Sequence, residues 1–276
     1  MAHCIVAAAD ALLDKEFKVH QKGFVRLVDY LGGDDRIVQA ARVSYGEGTK
    51  TIREDAALID YLLRNEHTSP FEQVILTFHI KMPVFVARQW IRHRTARLNE
   101  ISGRYSVMKD EFWLPEPGVV CRQSRDNKQG RETEPVEPAE AQAVIDSLAA
   151  GQKEAYTAYR TLVDGGIARE LARVNLPLSL YTEWYWQMDL HNLFRFIILR
   201  TDAHAQREIR DYANVILDIV RAVAPLACLS LERHFLGGCR LSADELAALR
   251  AMLAGTAPQL EGKQLQHLRA KLAGSC

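Results

Sequence analysis

The stretch that decides the fold is residues 74–82, VILTFHIKM, in which apolar and polar side chains alternate. A period of two places the apolar side chains on one face of a strand and the polar ones on the other. The apolar face would hold Val74, Leu76, Phe78, Ile80 and Met82. Because proline cannot donate to a ladder, Pro83 bounds the segment. The stretch therefore predicts a half-buried strand.

Outward from this strand, two more runs predict strands: residues 24–31, which end in Gly32-Gly33, and the aromatic-rich residues 179–188. Helical spacing and helix-end signals predict helices over residues 34–43 (with Asp34 as the cap), 53–64, 84–91, 139–163, 167–174, 190–200, 203–223 and 242–253. Strands and helices do not alternate as regular βαβ units. The sequence therefore predicts an α+β fold, with an antiparallel sheet core flanked by helices in a single large domain.

Two segments stand apart from this core. Residues 122–140, RQSRDNKQGRETEPVEPAE, hold almost nothing apolar beyond Val136 and Ala139. Such a run cannot offset its ordering entropy by burial, so it is predicted to be a mobile loop. We expect a main domain over residues 1–235 and a helical C-terminal extension over residues 236–276, in which residues 242–245, SADE, form a capping box.

Composition narrows the class of protein. The 276 residues carry 35 Lys plus Arg and 35 Asp plus Glu, and this zero balance weighs against a protein built mainly to bind nucleic acid. The five cysteines are scattered without a CxxC pair, which favours reduced thiols in the cytoplasm over disulfides or a zinc site. No HExxH or paired ligand spacing predicts a metal, no signal pattern is evident, and no apolar stretch is long enough to span a bilayer.

The densest polar segment is residues 92–106, RHRTARLNEISGRYS. Four arginines there surround a histidine, a glutamate, a serine and a tyrosine. An ordinary solvated basic loop is one interpretation. The other is an anion site, because guanidinium groups offer planar forks that suit phosphate and pyrimidine carbonyls. Composition leaves both open.

A second group of arginines lies in or beside predicted helices next to the aromatic strand: Arg169, Arg173, Arg195 and Arg200. Arg169 and Arg173 are four residues apart and share a helix face, as do His191 and Arg195. Salt bridges to neighbouring carboxylates are the alternative role for each of these arginines.

The 92–106 segment carries a family signature. Arg92-His-Arg94, seven residues, then Ser102 matches the RHR-x7-S motif of flavin-dependent thymidylate synthases. The longer form, RHRxxSxNExSxRY, also matches, except that Arg97 stands where the family has serine. The resemblance covers roughly residues 23–225 and includes residues 23–25, 40–44, 69–72, 85–90, 176–178 and 199–206. The chain thus resembles this family along most of its length.

The resemblance implies a homotetramer whose active sites are shared between subunits around FAD. Such enzymes methylate dUMP to dTMP, with 5,10-methylenetetrahydrofolate as carbon donor and NADPH, acting through the flavin, as reductant. A pocket for a phosphate, a uracil edge and a pyrophosphate needs fixed cations and few carboxylates, in agreement with the residue types of this segment.

By position, the residues implied to contact FAD are Ser69, Arg92, His93, Arg94 and Glu100, with His67 at the flavin face, and a second stretch of Asp189, Leu190, His191 and Arg195. The family often has asparagine where Asp189 and Arg195 stand. The residues implied to bind dUMP are Gln89, Trp90, Ile91, Arg92, Glu100, Ile101, Ser102, Gly103, Arg104 and Arg173. Arg200 matches the arginine that activates the uracil ring.

Four alternatives are weighed against this interpretation. Ser102 could act as a nucleophile, but no base is evident beside it, so a binding role is favoured. No cysteine follows a proline, so the cysteine nucleophile of the other thymidylate synthase class has no counterpart. A non-catalytic flavoprotein or nucleotide sensor would be expected to lose Arg200 or Ser102, and both are present; an RNA-binding module would be expected to carry a basic net charge.

Overall fold

The computed structural model describes residues 5–44, 52–125 and 129–274. Its centre is a five-stranded antiparallel sheet with the strand order β1-β2-β3-β7-β4, and a two-stranded hairpin, β5-β6, stands apart from it. The strands are β1 Glu16–Val19, β2 Gly23–Leu31, β3 Ile75–Pro83, β4 Arg97–Glu100, β5 Cys121–Gln123, β6 Arg131–Pro135 and β7 Tyr181–Asp189.

Eleven α-helices occur in the described residues, together with short 3-10 turns and a π-helical turn at Glu232–Leu236. The helices are α1 Ala7–Asp10, α2 Asp34–Ala41, α3 Ile52–Arg64, α4 Val84–Trp90, α5 Pro138–Asp164, α6 Arg169–Ala172, α7 Leu190–Thr201, α8 Arg207–Val223, α9 Pro225–Leu231, α10 Ala243–Leu253 and α11 Gly262–Leu272. The prediction of an α+β fold with an antiparallel sheet flanked by helices is confirmed.

Strand β3 lies at the middle of the sheet. It pairs with β2 on one side, where His79 lies opposite Arg26, and with β7 on the other, where Phe78 lies opposite Trp186. Leu76 and Ile80, like Phe78, are fully buried, as the alternation in residues 74–82 predicts. The decisive strand is therefore confirmed, with its apolar face in the core.

Helices α4, α7 and α8 cover this apolar face. Residues Ile209, Ala213, Ile216 and Val220 of α8 recur at helical spacing and are fully buried. Trp90, at the end of α4, stacks on Phe196 of α7 with 4.7 Å between ring centroids. Burial of such large aromatic side chains dominates the stability of a core, and here it fixes where α4 ends and where α7 lies against the sheet.

The described chain groups into two compact units. The first comprises the described parts of residues 1–49 and 68–225, and the second those of residues 50–67 and 226–276. In the second unit, Asp60 of α3 accepts hydrogen bonds from Ser230 at 3.3 Å, Arg233 at 3.1 Å and His234 at 2.8 Å. These contacts group α3 with the C-terminal helices, whereas the predicted boundary at residue 235 places it with the main domain. No local pattern could have shown this, because the partners are about 170 residues apart.

The segment predicted as a loop over residues 122–140 differs in the structure. Residues 122–123 and 131–135 belong to the strands of the β5-β6 hairpin, and α5 begins at Pro138, while residues 126–128 lie outside the described residues. Side chains of the hairpin also bond elsewhere: Arg122 pairs with Glu140 at 2.8 Å, and Arg131 pairs with Glu208 at 2.8 Å. Composition predicted no structure because hydrogen bonds and ion pairs, rather than apolar burial, hold this segment.

Smaller differences occur at element ends. Gly33, rather than Asp34, is the residue that caps α2, and α8 begins at Arg207 rather than near residue 203. Strand β4 escaped prediction because it pairs at the sheet edge with all four of its residues exposed. The capping box of α10 is confirmed: Ser242 accepts from the Glu245 amide at 3.2 Å, and the Glu245 carboxylate accepts from the Ser242 amide at 2.8 Å. In the described part of the chain, no helix is long and apolar enough to cross a membrane.

Candidate active site

The segment that follows α4 brings the predicted site residues together with α7. The guanidinium of Arg200 donates from Nε to His93 Nε2 at 3.0 Å and from an Nη to the Gln89 carbonyl oxygen at 3.2 Å. The His93 ring also packs edge-on against Phe196, with 4.9 Å between centroids. Arg200 therefore joins in one cluster with His93 and Gln89, which precede it by 107 and 111 residues.

The environment of His93 sets its protonation state. Burial, followed by the positive charges of Arg200 and Arg195, lowers the pKa of His93 from its usual 6.5 to about 4. The ring is therefore neutral near pH 7, which is what an acceptor for Arg200 must be. Because Nε2 accepts, the proton resides on Nδ1, and this N–H is the donor left for a ligand.

Arg200 is half-buried, and burial lowers the pKa of its guanidinium. Its planar fork has five N–H donors, and among the described residues only His93 and Gln89 engage them. The remaining donors stay available to a ligand. A guanidinium held on two sides in this way is preorganised, because its orientation is fixed before any ligand binds.

Other cations near this cluster have no acidic partner. Arg92, Arg94 and Arg195 are exposed, and none of them forms an ion pair with a described residue. Arg195 lies close enough to His93 to lower its pKa. Cations without carboxylates are what a polyanionic ligand such as a pyrophosphate needs. This donor set therefore fits the phosphate-bearing part of the cofactor implied by the sequence motif.

Residues 102–106 form a tight turn in which the Ser102 carbonyl oxygen accepts from the amides of Tyr105 at 3.1 Å and Ser106 at 3.0 Å. Gly103 is buried beneath Arg173: a β-carbon there would lie 3.1 Å from Arg173 Cδ. Glycine at this position therefore lets the Arg173 side chain cross the turn. The structure places Ser102, Gly103 and Arg173 together, as predicted.

The arginines around this turn are held by polar contacts. Arg104 Nε pairs with Glu170 at 3.2 Å, and Arg169 donates to the Tyr105 carbonyl oxygen at 2.9 Å. Both side chains of the Arg104–Glu170 pair are more than half exposed, so the pair contributes little stability. Arg104 therefore forms an ion pair, and its guanidinium is still open to solvent.

Strand β4 presents the remaining predicted residues of this segment. Glu100 accepts a hydrogen bond from Thr182 Oγ1 at 2.6 Å, which orients its carboxylate. Ile91 and Ile101 are exposed by 44 % and 39 % respectively, which leaves both open to a ligand. Arg97, which replaces the motif serine, donates to Gln187 Oε1 at 3.4 Å.

Three predicted side chains are engaged within the protein itself: two are buried in the core, and one caps a helix. Trp90 is fully buried among Trp184, Trp186 and Phe196, so only its backbone remains for binding. Leu190 is also fully buried, and its amide donates to the Val74 carbonyl oxygen at 2.8 Å. Asp189 is the cap of α7. Its two carboxylate oxygens accept from the amide and side chain of Asn192 at 2.9 and 2.8 Å.

The other predicted cofactor residues belong to other segments of the chain. Ser69 is exposed and precedes the 3-10 turn Phe71–Gln73, and His191 lies half-buried in the first turn of α7. His67 belongs to the second compact unit, where its ring packs edge-on against Tyr61 with 5.7 Å between centroids.

Sequence reasoning missed four residues whose side chains support the predicted site residues. Thr182 orients Glu100, while Gln206, Glu208 and Arg131 extend a hydrogen-bond chain from Gln89. Gln206 ends the motif-like stretch 199–206, which is a usable signal. Arg131 had none, because it lies in a polar segment without periodicity.

In residues 5–44, 52–125 and 129–274, no group of three or more His, Cys, Asp or Glu side chains is placed to hold a metal ion. Cys121, Cys228 and Cys239 form no disulfide.

The fold and the site together define a class: an α+β protein with a preorganised, arginine-rich site for an anionic ligand. A family model described as "Thymidylate synthase complementing protein" matches residues 26–226, and one described as "Thymidylate synthase ThyX C-terminal domain" matches residues 239–274. The chain belongs to the flavin-dependent thymidylate synthase family.

Individual relatives agree with this assignment. The chain is 65 % identical to a flavin-dependent thymidylate synthase of Treponema denticola, over 94 % of this chain and 98 % of the relative. It is 56 % identical to one of Thermus thermophilus, over 91 % of this chain and 89 % of the relative. Among solved structures, a UMP/dUMP methylase, PolB, of Streptomyces cacaoi bound with 5-Br dUMP superposes with a TM-score of 0.72 at 29 % identity, over 79 % of this chain and 98 % of that chain.

Proposed function

We propose that this protein is a flavin-dependent thymidylate synthase, which methylates dUMP reductively to dTMP. 5,10-Methylenetetrahydrofolate is the carbon donor, and NADPH, acting through FAD, is the reductant. The observation that carries the proposal is the Arg200 guanidinium, which His93 and Gln89 fix within a group of unpaired cations. Family membership identifies the reaction, and this cluster contains the cationic and hydrogen-bonding groups that the reaction requires.

Arg200 is assigned to the uracil ring. Carbon 5 of uracil is a poor nucleophile unless negative charge accumulates across N3 and its flanking carbonyls. A fixed guanidinium stabilises that charge as it develops, and it needs no proton transfer to do so because it stays ionised. The bonds to His93 and Gln89 leave donors of the fork for this edge. No covalent attack on the ring is required, in keeping with the absence of a Pro-Cys pair.

The remaining dUMP contacts are assigned to the two neighbouring segments. Arg173, with Arg104 and Ser102 on the turn below it, offers a phosphate two guanidinium groups and a hydroxyl. The other residues assigned to dUMP by their positions in the family-like segments are Gln89, Ile91, Arg92, Glu100, Ile101 and Gly103. For Trp90, only the backbone serves this role.

FAD is assigned to the cations without partners. Arg92, Arg94 and Arg195 would neutralise its pyrophosphate, with Ser69 and the His93 Nδ1–H as further donors and His191 beside them. Bound FAD supplies the hydride that completes the methyl group. Glu100 and His67 are assigned to it by position. Asp189 and Leu190 are not expected to contact it through their side chains, which cap a helix and fill the core.

Two broader assignments accompany this function. A homotetramer with active sites shared between subunits is expected from the family. The cytoplasm is the expected compartment, and the lack of a disulfide at Cys121 and Cys239 supports it.

The test uses purified full-length protein. We expect it to be yellow, to show a changed flavin absorption spectrum on addition of dUMP, and to form dTMP only when dUMP, methylenetetrahydrofolate and NADPH are all present. A protein that binds flavin but forms no dTMP under these conditions would contradict the proposal. A protein without flavin that forms dTMP would contradict it as well.

A further inference from the structure

A continuous hydrogen-bond chain connects the β5-β6 hairpin to the Arg200 cluster. Arg131 of β6 donates to Glu208 Oε1 at 2.8 Å, and Gln206 Nε2 donates to Glu208 Oε2 at 2.8 Å. The side-chain amide of Gln89 in turn donates to Gln206 Oε1. The carbonyl oxygen of Gln89 accepts from Arg200. Every link joins a donor to an acceptor, and the chain converges on Glu208, whose carboxylate accepts from both sides.

The centre of this chain is a buried carboxylate. The Glu208 side chain is 3 % exposed and lies in the first turn of α8, whose amides favour a negative charge there. Burial opposes its ionisation, but the hydrogen bonds from Arg131 and Gln206 outweigh burial, and the pKa of Glu208 lies below its usual range. An ionised, buried carboxylate needs these partners, because an unpaired buried charge is strongly unfavourable. Glu208 therefore holds Gln206 in one orientation.

The orientation of Gln206 decides what it offers to Gln89. A primary amide has one acceptor and two donor N–H groups. Because the side-chain nitrogen of Gln206 donates to Glu208, the side-chain oxygen of Gln206 must face Gln89. Gln89 must therefore donate from its own side-chain nitrogen. The flip state of both glutamines is thus set by the charge on Glu208.

Resting on the proposed function, we infer that Arg131, Glu208 and Gln206 are positioning residues for the reaction on dUMP. They fix the side chain of Gln89 and, through the Gln89 backbone, the guanidinium of Arg200. The hairpin, in the segment predicted as a mobile loop, thus takes part in organising the active site. None of the three residues touches the reacting atoms; they act through Gln89.

The competing explanation is that Arg131 only stabilises the fold by neutralising Glu208. That explanation predicts a lower melting temperature with normal kinetics in the folded protein. Positioning predicts a kinetic defect that is present in fully folded protein. The two are separated at Gln206, which is exposed and makes no capping hydrogen bond to α8, so that replacing it removes the link with little effect on folding.

The experiment compares Arg131→Ala, Arg131→Lys, Gln206→Ala and the Arg131→Ala/Gln206→Ala double variant. Arg122→Ala is the matched control, because Arg122 lies in the same hairpin. Its ion pair with Glu140 is exposed and is not part of the hydrogen-bond chain to Gln89. For each variant, kcat and KM for dUMP are measured on holoenzyme, together with bound FAD and melting temperature. A misplacement of about 1 Å at a reacting group can cost about a hundredfold.

We expect Arg131→Ala and Gln206→Ala each to lower kcat/KM for dUMP by about tenfold to a hundredfold, with bound FAD near the wild-type level. Arg131→Lys should recover part of the loss, and Arg122→Ala should match wild type. In folded protein, kcat/KM of the double variant should be no lower than that of the poorer single variant, because both changes break one chain. Its melting temperature should fall furthest, because Glu208 then loses both partners. Normal kcat and KM in Gln206→Ala, or strictly multiplicative effects in the double variant, would overturn the inference. An inactive wild-type protein would refute the proposed function instead.

Discussion

At the scale of single residues, the site depends on a neutral histidine that holds a charged arginine. A protonated His93 would have no lone pair at Nε2 and would repel the guanidinium of Arg200. Burial and the two nearby arginines keep the ring neutral, with a pKa of about 4. The cations that make the site attractive to anions therefore also keep His93 in the state that orients Arg200.

Arg200→Ala should lower kcat for dTMP formation by about a hundred- to a thousandfold, the usual cost of removing a preorganised donor at developing charge. Arg200→Lys keeps the charge but loses the planar fork, so it should recover only part of the loss. Bound FAD and dTMP formation are measured for both variants, with Arg221→Ala, an exposed change on α8, as the control. An Arg200→Ala variant that lacks flavin, or that keeps wild-type kcat, would contradict the assigned role.

His93 also predicts a pH dependence of stability. Its pKa is about 4 in the folded protein and 6.5 ordinarily, so between these values the unfolded chain binds a proton that the folded chain does not. The free energy of unfolding should therefore fall as the pH drops through this window. Melting temperatures at pH 7.5 and pH 5 should show a larger decrease for wild type than for His93→Gln. Equal decreases in the two proteins would contradict the assignment.

At the scale of elements, some parts of the chain are specified by local sequence signals, and others are held by bonds between residues far apart in sequence. Helix α10 is specified by its own capping box and joined to α11 by Lys271, which bonds both carboxylate oxygens of Glu245 at 2.7 and 2.9 Å. The hydrogen bond from Lys271 comes first among the causes that keep the pKa of Glu245 below its usual range. The β5-β6 hairpin has no comparable local code and is tied to α8 through Arg131.

Ser242→Ala should destabilise α10 by about 1 kcal/mol, because it removes the acceptor for one of the unpaired amides at the helix start. Ser242→Asp keeps an acceptor and should retain most of the stability. Denaturant unfolding followed by circular dichroism measures both variants against wild type. Equal stability of Ser242→Ala and wild type would mean that the capping box contributes nothing in the whole protein.

At the scale of the whole molecule, apolar side chains exposed in a single chain indicate where chains meet. Leu171, Val174 and Leu178 are exposed by 62 %, 70 % and 60 %. They flank Arg173, which is assigned to dUMP. Exposed apolar residues gathered in one segment mark an association surface more often than isolated ones do. A subunit contact here would place the dUMP site next to a neighbouring chain, as a shared active site requires.

Light scattering should therefore give a particle of four 31.2 kDa chains for the wild-type protein. Val174→Asp should dissociate it and lower dTMP formation at least tenfold, because a charge buried in an interface costs several kcal/mol. Leu253→Asp, at a residue that is 80 % exposed in the C-terminal unit, is the control and should leave the mass unchanged. A wild-type monomer with full activity would contradict the tetramer and its shared sites.

The sequence by itself determined strands β2, β3 and β7 of the sheet and most of the helices, because their signals are periodic and local. Residues 74–82 alternate and form β3, residues 139–163 lie within α5, and the capping box marks the start of α10. The RHR-x7-S motif located the site as well, since Arg92, His93 and Ser102 lie close together along the chain.

Only the tertiary structure decided how the site is held. The pairing of His93 with Arg200 spans 107 residues, and that of Arg131 with Glu208 spans 77 residues. Hydrogen bonds between side chains at such separations leave no periodic trace, because each partner is one polar residue among many. Burial is likewise a property of the fold: it made Trp90 and Leu190 core residues and kept His93 neutral.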